Sequence, residues 1–256
     1  MQQYFIPTEQ FTETHVTVMG EDARHMQKVM RMEIGDLCQC ADRKGHVFNC
    51  MVESFEGQNV ILKLVEKKSN NAELPVRITI AQGIPKGDKF DTIVQKGTEC
   101  GAYAFVPFSA ERSIAKWTSS KWDKKKTRFE KIAKEAAEQS HRDIVPHICE
   151  PMDLKELISY GQKFSNKLIA YEETAKLGEQ QGLPTLLKSM SPSDEDKLLI
   201  VIGPEGGLSN AEVQQFKQAG FICCGLGKRI LRTETAPIYF LSCVSYHFEL
   251  LYEVNK

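Results

Sequence analysis

The residue types and spacings that could do chemistry concentrate in two loops near the carboxyl end of the chain. An apolar run, residues 198–202, ends at the glycine-rich turn Gly203-Pro204-Glu205-Gly206-Gly207. A second apolar run, residues 221–226, leads into a charged loop, residues 227–235. Short apolar runs bounded by turns are typical of strands buried on both faces. Because parallel α/β sheets bind ligands at the carboxyl ends of their strands, the two loops predict a binding site.

Neither loop carries a standard nucleotide-binding motif. The glycine-rich turn lacks the Lys-Ser/Thr ending of a P-loop, and residues 225–230 lack the third glycine of the dinucleotide fingerprint. The pattern therefore gives little support for ATP hydrolysis or NAD chemistry. Taken alone, it leaves two structural alternatives open: a simple tight turn at residues 203–207, and a surface ion-pair cluster of Arg229, Arg232 and Glu234.

The elements that must position these loops fall into two groups. Residues 1–71 are short alternating segments with turns between them and one helix at residues 22–30, which predicts a small β-barrel. From Pro75 onward, apolar runs alternate with helical patterns, which predicts a parallel sheet covered on both faces. Ser209 and Glu212 have the spacing of a capping box. The predicted strands of this second part are 76–82, 104–108, 167–171, 198–202 and 221–226, and its predicted helices are 88–100, 122–140, 184–190, 209–219 and 237–252.

The composition is that of an ordinary soluble protein, with 256 residues, 41% hydrophobic residues and a formal net charge of −1. No run approaches the roughly 18 apolar residues that span a membrane. The first residues lack the basic and apolar regions of a signal peptide. Eight cysteines without such a peptide predict reduced thiols in the cytoplasm, and their spacing does not predict a metal site.

One segment is strongly basic. Residues 111–134 contain seven lysines and two arginines against three acidic residues, a net charge of +6. Such runs are usually solvated helix faces. The alternative is a surface that contacts phosphate groups, because the electrostatic footprint of a nucleic-acid-binding protein is local.

Taken together, the motifs resemble those of the RsmE family, the SPOUT-class 16S ribosomal RNA uridine-N3 methyltransferases. The resemblance is carried by GPEGGLS, residues 203–209, with Glu212, and by LGKRILRTETA, residues 226–236. It extends over the whole chain through shorter motifs in the same order: His25-x-x-x-Val29-x-Arg31-x-x-x-Gly35-Asp36, Lys86-Gly87-Asp88-Lys89, Gln95-Lys96, Glu99-x-Gly101, Glu111-Arg112-Ser113 and Glu138-Gln139-Ser140-x-Arg142.

The resemblance implies an α/β fold of two domains. Residues 1–71 would form a PUA-like RNA-binding β-barrel, and residues 72–256 a SPOUT methyltransferase domain with a deep carboxyl-terminal trefoil knot. Members of this class are homodimers that bind S-adenosylmethionine (SAM) in the knot, mainly through backbone groups. The implied substrate is one uridine of 16S ribosomal RNA within the assembled small subunit, in the cytoplasm, with no membrane and no metal involved.

Site residues follow from placing this chemistry on the loops. Glycines let a backbone approach the flat adenine, apolar side chains can wall the ring, and a carboxylate beside the cationic sulfonium is tolerated. The predicted cofactor contacts are Ile202, Gly203, Pro204, Glu205, Gly206, Leu226, Gly227, Ile230, Leu231 and Ala236.

The reacting nitrogen, N3 of uracil, carries a proton with a pKa of about 10, close to that of tyrosine. The site therefore needs a base or a cation that stabilises the uracil anion. We expect Arg232 to stabilise the anion or orient a phosphate, and Glu234 and His141 are candidate bases. The predicted RNA contacts are Arg24, His25, Lys28, Arg31, Lys86, Lys89, Gln139 and Arg142, with Lys124, Lys125, Lys126 and Arg128 as a secondary set.

The final predicted helix, residues 237–252, is apolar over more than one face, which predicts a contribution to a dimer interface. Two other functions stay open at this stage. One is a methyltransferase of the same class that acts on transfer RNA or on a 2′-hydroxyl. The other is a non-catalytic RNA-binding or ribosome-assembly protein, against which the intact loops argue.

Overall fold

The computed structural model describes residues 1–42, 44–68, 72–117, 119–173, 182–190 and 197–251. The chain divides into two compact units. The first contains Met1–Glu73 and Lys134–Val145, and the second contains Leu74–Ala133 and Pro146–Lys256. The sequence predicted a single domain boundary after residue 71, and it did not predict that residues 134–145 belong to the first unit. Residues 69–71 of that boundary segment, and residue 252 of the last predicted helix, lie outside the described residues.

The return of residues 134–145 has a packing reason. Ala137 and Val145 pack against Phe5, Ala41 and Val47 in a small apolar cluster of the first unit. The backbone N–H of Phe5 also donates to Glu138 Oε1 at 3.0 Å. Such long-range contacts are not visible in a local composition change, which was the basis for the sequence boundary.

The first unit is built on one five-stranded sheet in the order β1-β3-β4-β5-β2. β1 and β3 pair in parallel, and the remaining pairs are antiparallel. The predicted helix at residues 22–30 is a short α-helix, α1, followed directly by a π-helical turn. The bounds are β1 Gln3–Phe5, β2 His15–Val18, α1 Gly20–Arg24, the π-helical turn His25–Val29, β3 Leu37–Ala41, β4 Val47–Glu56 and β5 Asn59–Lys67, with a 3-10 turn at Thr8–Gln10.

The second unit is an α/β structure with a parallel sheet, as predicted. Its six strands have the order β11-β9-β10-β6-β7-β8, and every neighbouring pair is parallel. The strands are β6 Arg77–Gly83, β7 Ala104–Phe108, β8 His147–Ile148, β9 Asn166–Ala170, β10 Lys197–Ile202 and β11 Ile222–Cys224. The helices are α2 Lys89–Glu99, α3 Ser119–Gln139, α4 Leu154–Gly161, α5 Gly182–Ser189, α6 Asn210–Gln218 and α7 Thr235–Ser245, which continues into a π-helical turn, Tyr246–Leu251.

The sequence signals for these elements are visible in their structure. The last five residues of β10 are buried, as expected for a strand covered on both faces. The capping box predicted at Ser209 is formed: Ser209 Oγ accepts from Glu212 N, and Glu212 Oε2 accepts from Ser209 N at 2.8 Å. β11 is shorter than predicted, because residues 225–229 turn away from β9 into the second loop.

The connection from β11 to α7 determines where the second loop lies. β11 is at one edge of the sheet, whereas α7 contacts α2, the helix that follows the more central strand β6. The loop therefore passes the carboxyl ends of β9 and β10 on its way to α7. Within the described residues, no helix combines the length and apolar character that crossing a membrane requires.

Candidate active site

A cavity of about 1140 Å³ opens in the second unit at the carboxyl ends of β9, β10 and β11. Both sequence-identified loops form its walls, and the segment after β9 adds Tyr171, Glu172 and Glu173. All ten predicted cofactor contacts line the cavity. They are Ile202, Gly203, Pro204, Glu205, Gly206, Leu226, Gly227, Ile230, Leu231 and Ala236.

The glycine-rich loop folds tightly on itself and on its neighbours. A β-carbon at Gly203 would lie 2.9 Å from the carbonyl carbon of Gly207, and one at Gly83 would lie 2.5 Å from Pro204 Cδ. Gly207 has a φ of +67°, a conformation that favours glycine. The loop is therefore packed so closely that side chains larger than hydrogen do not fit at Gly203 and Gly83.

The segment after β7 supports the glycine-rich loop from the side. Glu212, which is buried, accepts a hydrogen bond from the Glu111 N–H at 2.8 Å, and Arg112 Nη1 donates to the Gly206 carbonyl at 3.1 Å. Of this set, sequence reasoning gave Glu212 only a capping role. Glu111 and Arg112 were part of a motif without an assigned function.

Gln82 and Thr233 connect β6 to both loops, and sequence reasoning missed both. Gln82 Nε2 donates to Thr233 Oγ1 at 2.8 Å, and Thr233 Oγ1 donates to the Gly203 carbonyl at 2.7 Å. Both side chains are buried. The signal that could have found Gln82 is its polarity within the otherwise apolar end of a buried strand.

An ion cluster stands at the mouth of the cavity. Lys89 Nζ lies 2.9 Å from Glu205 Oε1 and 3.4 Å from Glu234 Oε2. The hydrogen bond to Glu205 is the main reason that the pKa of Lys89 is raised. Burial raises the pKa of Glu205, but the hydrogen bonds from Lys89 and from the Lys86 N–H outweigh it and leave that pKa below its usual value. Lys89, expected to contact RNA, is thus held by two carboxylates.

The predicted catalytic residues are not all in one place. Arg232 lines the cavity with an exposed side chain. Glu234 begins the helix α7, and its Oε2 atom is buried beside Lys89. His141 belongs to the first unit, where its Nδ1 lies 3.2 Å from Gln39 Oε1 and burial lowers its pKa. His141 does not line the cavity, so this placement does not support its assignment as the base.

Arg142 is a correction to the predicted RNA contacts. Its side chain is 2% exposed, and its guanidinium pairs with the carboxylate of Glu73. The backbone N–H groups of Asp143 and Ile144 donate to the same carboxylate. A guanidinium buried in this network does not present itself to RNA. Sequence could not separate this structural arginine from a nucleic-acid contact, because both are conspicuous basic residues beside polar motifs.

The remaining RNA predictions show mixed placements. Arg24, Lys28 and Arg31 are exposed around the π-helical turn of the first unit, and Gln139 is also exposed. His25 is half-buried, with Nδ1 3.1 Å from the Tyr4 hydroxyl. Lys86 has an exposed side chain, and its backbone N–H bonds Glu205.

The basic helix α3 is partly neutralised by acidic partners. Arg128 pairs with Asp91 and lies near Asp88, and Lys126 Nζ lies 2.6 Å from Glu150 Oε1. Lys125 Nζ sits 5.0 Å from the ring centroid of Trp117, a cation–π contact. Two residues of the secondary set of RNA contacts, Lys126 and Arg128, are therefore already paired with carboxylates.

The cysteines and the described acidic residues can be examined for metal-ligand groupings. All eight cysteines have free thiols. Within the ranges that the structure describes, no group of three or more His, Cys, Asp or Glu side chains is arranged to hold a metal ion.

Comparisons with known proteins match both units. Residues 72–245 match the RNA methyltransferase domain family, and residues 19–65 match the RNA methyltransferase PUA domain family. The chain is 45% identical over 254 residues to the ribosomal RNA small subunit methyltransferase E of Bacillus subtilis, covering 98% of each chain.

Two solved structures with bound SAM are also similar. A ribosomal RNA small subunit methyltransferase E from Neisseria gonorrhoeae bound to SAM is 28% identical, with a TM-score of 0.81 over 96% of this chain and 97% of that chain. A putative methyltransferase from Legionella pneumophila in complex with SAM is 28% identical, with a TM-score of 0.80 over 95% of this chain and 96% of that chain.

Proposed function

The chain belongs to the ribosomal RNA small subunit methyltransferase E family, and we propose that it methylates N3 of one uridine in the 16S ribosomal RNA of the assembled small subunit. It is a SAM-dependent methyltransferase of small-subunit ribosomal RNA. The observation that carries the proposal is the cavity that the two loops form at the strand ends, with Arg232 at its wall.

The cavity fits SAM in its chemistry. Glycines at 203, 206 and 227 let a flat ring approach the main chain, and Leu226, Ile230 and Leu231 supply apolar surface. Glu172, Glu173 and Glu205 place carboxylates around the cavity, which suits a ligand with a sulfonium and an ammonium group. When bound, SAM supplies the methyl group on a positively charged sulfur.

The residues of this chain must prepare the uracil ring. N3 becomes nucleophilic when it loses a proton whose pKa is about 10. In the proposed role, Arg232 lowers the cost of the uracil anion, because its cationic side chain lines the cavity and is exposed to an incoming base. Glu234 is the proposed proton acceptor. Its Oε2 is held 3.4 Å from Lys89 Nζ, which fixes the carboxylate at the edge of the cavity.

The trefoil knot is part of the proposal. The chain from β11 passes the ends of β9 and β10 before α7 packs beside α2, and Thr233 bonds the carbonyl of Gly203 on the way. A knot requires in addition that the carboxyl-terminal segment be threaded through an earlier loop, and this crossing supports the proposal without establishing the threading. Knots are rare exceptions to ordinary chain topology.

We also propose that the enzyme is a homodimer in the cytoplasm. Tyr246, Leu250 and Leu251, in the π-helical turn after α7, are 54%, 59% and 40% exposed. Phe240, Leu241, Val244 and Phe248 of the same segment are instead buried within the chain. Light scattering at micromolar concentration should give twice the mass of the chain, and a monomer would contradict this assignment. The free thiols of all eight cysteines support a reducing compartment.

The proposed substrate is tested by methyl transfer from tritiated SAM to three RNAs offered in parallel: unmodified small ribosomal subunits, free 16S RNA and bulk transfer RNA. We expect label on the subunits above all. Label on transfer RNA instead would contradict 16S ribosomal RNA as the substrate. Failure to bind SAM would favour a non-catalytic RNA-binding role.

A further inference from the structure

A buried glutamine at the end of a strand requires a reason. Gln82 is the penultimate residue of β6, and its side chain is completely buried. In the sheet it lies opposite Ile202, at the point where β10 enters the glycine-rich loop. A buried amide is costly unless it is hydrogen-bonded. Gln82 Oε1 is buried without a hydrogen-bond partner among the described residues, so any positioning role of this side chain rests on the bonds of its Nε2 group.

The bonds of Gln82 lead to both loops of the cavity. Gln82 Nε2 donates to Thr233 Oγ1 at 2.8 Å and lies 3.3 Å from the Gly203 carbonyl. Thr233 Oγ1 donates in turn to the same carbonyl at 2.7 Å. A threonine hydroxyl has one proton to donate, so accepting from Gln82 directs that proton to Gly203. We call these three residues the Gln82–Thr233–Gly203 clasp.

The clasp joins segments that are far apart in sequence. Gly203 begins the glycine-rich loop, and Thr233 lies near the end of the second loop, and both line the cavity. The backbone of the glycine-rich loop is already seated on β6, because a β-carbon at Gly83 would lie 2.5 Å from Pro204 Cδ. The clasp fixes the second loop against this seated loop.

We infer that Gln82 and Thr233 are positioning residues for SAM, holding the two loops at the spacing that the cofactor needs before it arrives. This inference rests on the proposed function for the identity of the ligand. Neither side chain need touch the reacting atoms. Preorganisation of this kind strengthens binding because the entropy cost of ordering the loops does not reduce the binding free energy.

The test is SAM binding by titration calorimetry to the full chain with Thr233→Val, which keeps the shape of the side chain and removes its hydroxyl. We expect the dissociation constant for SAM to rise about tenfold, the size of one lost hydrogen bond in a preorganised site. Thr233→Ser, which restores the hydroxyl, should stay within about threefold of the original protein.

Thr79→Val is the matched control. Thr79 is a buried threonine on the same strand, and it does not line the cavity. Both valine variants should lower the thermal midpoint without SAM, but only Thr233→Val should weaken SAM binding. Equal SAM affinity for both valine variants and the original protein, all folded at the titration temperature, would overturn the inference.

Gln82→Met supplies a second line. Because the two side chains act as one unit, Gln82→Met combined with Thr233→Val should weaken SAM binding by about as much as either alone. Fully additive losses would contradict a clasp. If the original protein bound no SAM at all, the proposed function would fail first, which separates that outcome from failure of the clasp.

Discussion

The cavity of the second unit and the basic residues of the first unit are built in different ways. The cavity is shaped by main chain, and buried side chains such as Glu212 and Thr233 hold that main chain in place. Around the π-helical turn of the first unit, Arg24, Lys28 and Arg31 project exposed charged side chains. Single substitutions near the cavity should therefore have large effects on SAM binding or turnover, whereas single substitutions of these exposed residues should each weaken RNA binding only slightly. An arginine can be a buried structural residue or an exposed RNA contact, and the burial of its side chain distinguishes the two.

The largest effect is expected for substitution of Arg142. If Arg142 behaved as an RNA contact, the distinction between buried structural residues and exposed RNA contacts would fail. Its guanidinium is buried against Glu73, so Arg142→Ala removes the cation that pairs with this carboxylate. We expect a loss of about 3 kcal/mol or more in unfolding free energy, measured by urea denaturation. Gln139→Ala, an exposed neighbour on the same segment, should have little effect on stability. An Arg142→Ala variant of normal stability with weak subunit binding would contradict this assignment.

Arg232 should show the next largest effect, and on turnover rather than folding. Arg232→Ala should lower methyl transfer about a hundredfold or more, because a cation at a developing negative charge is lost. SAM affinity should change little, because Arg232 is not one of the predicted cofactor contacts and its proposed role is toward the uracil. Lys217→Ala, on the exposed face of α6, removes the same charge away from the cavity and is the control. Near-native turnover in Arg232→Ala would remove this residue from the mechanism.

Gly83 tests whether main-chain contact shapes the cavity. In Gly83→Ala the new β-carbon would meet Pro204 Cδ at 2.5 Å and Pro204 N at 2.6 Å, so the glycine-rich loop must shift. We expect SAM binding to weaken about tenfold or more. Gly206→Ala, where the nearest atom is Arg112 Cβ at 3.0 Å, should be milder. The reverse order of the two variants would show that the loop is not seated on β6 as described.

The smallest effect is expected for substitution of Lys28, which tests whether the exposed basic residues of the first unit contact phosphate groups. Lys28→Ala should weaken subunit binding a few-fold and reduce the slope of log affinity against log salt by about one. SAM affinity should be unchanged. Filter binding at several salt concentrations measures both quantities, and an unaltered slope would exclude Lys28 from phosphate contact.

Prediction from sequence succeeded where topology alone places a residue. A buried parallel strand followed by glycines places Gly203 and Gly206 at the carboxyl end of the sheet, and both line the cavity. It was less successful with charged side chains, whose partners depend on tertiary contacts. Lys89 pairs with Glu205 and Glu234, and Arg142 pairs with Glu73. None of these three carboxylates is near its basic partner in sequence.

Gln82 and Thr233 were missed for a related reason. Gln82 is unusual as a polar residue at the apolar end of a strand, but its local sequence does not identify its partner, and Thr233 is an ordinary residue of its loop. Only the approach of β6 to both loops makes them partners. Residues 134–145 joined the first unit for the same kind of reason, because Ala137 and Val145 complete an apolar cluster with Phe5.

The most direct test of the central claim is the identity of the methylated nucleoside. Unmodified small subunits would be incubated with the enzyme and methyl-labelled SAM, and the RNA digested and resolved by liquid chromatography and mass spectrometry. We expect label in 3-methyluridine at a single 16S position, and about a hundredfold less label or lower with Arg232→Ala under the same conditions. Label in a 2′-O-methylated nucleoside, or in several positions, would contradict the proposed chemistry of the cavity.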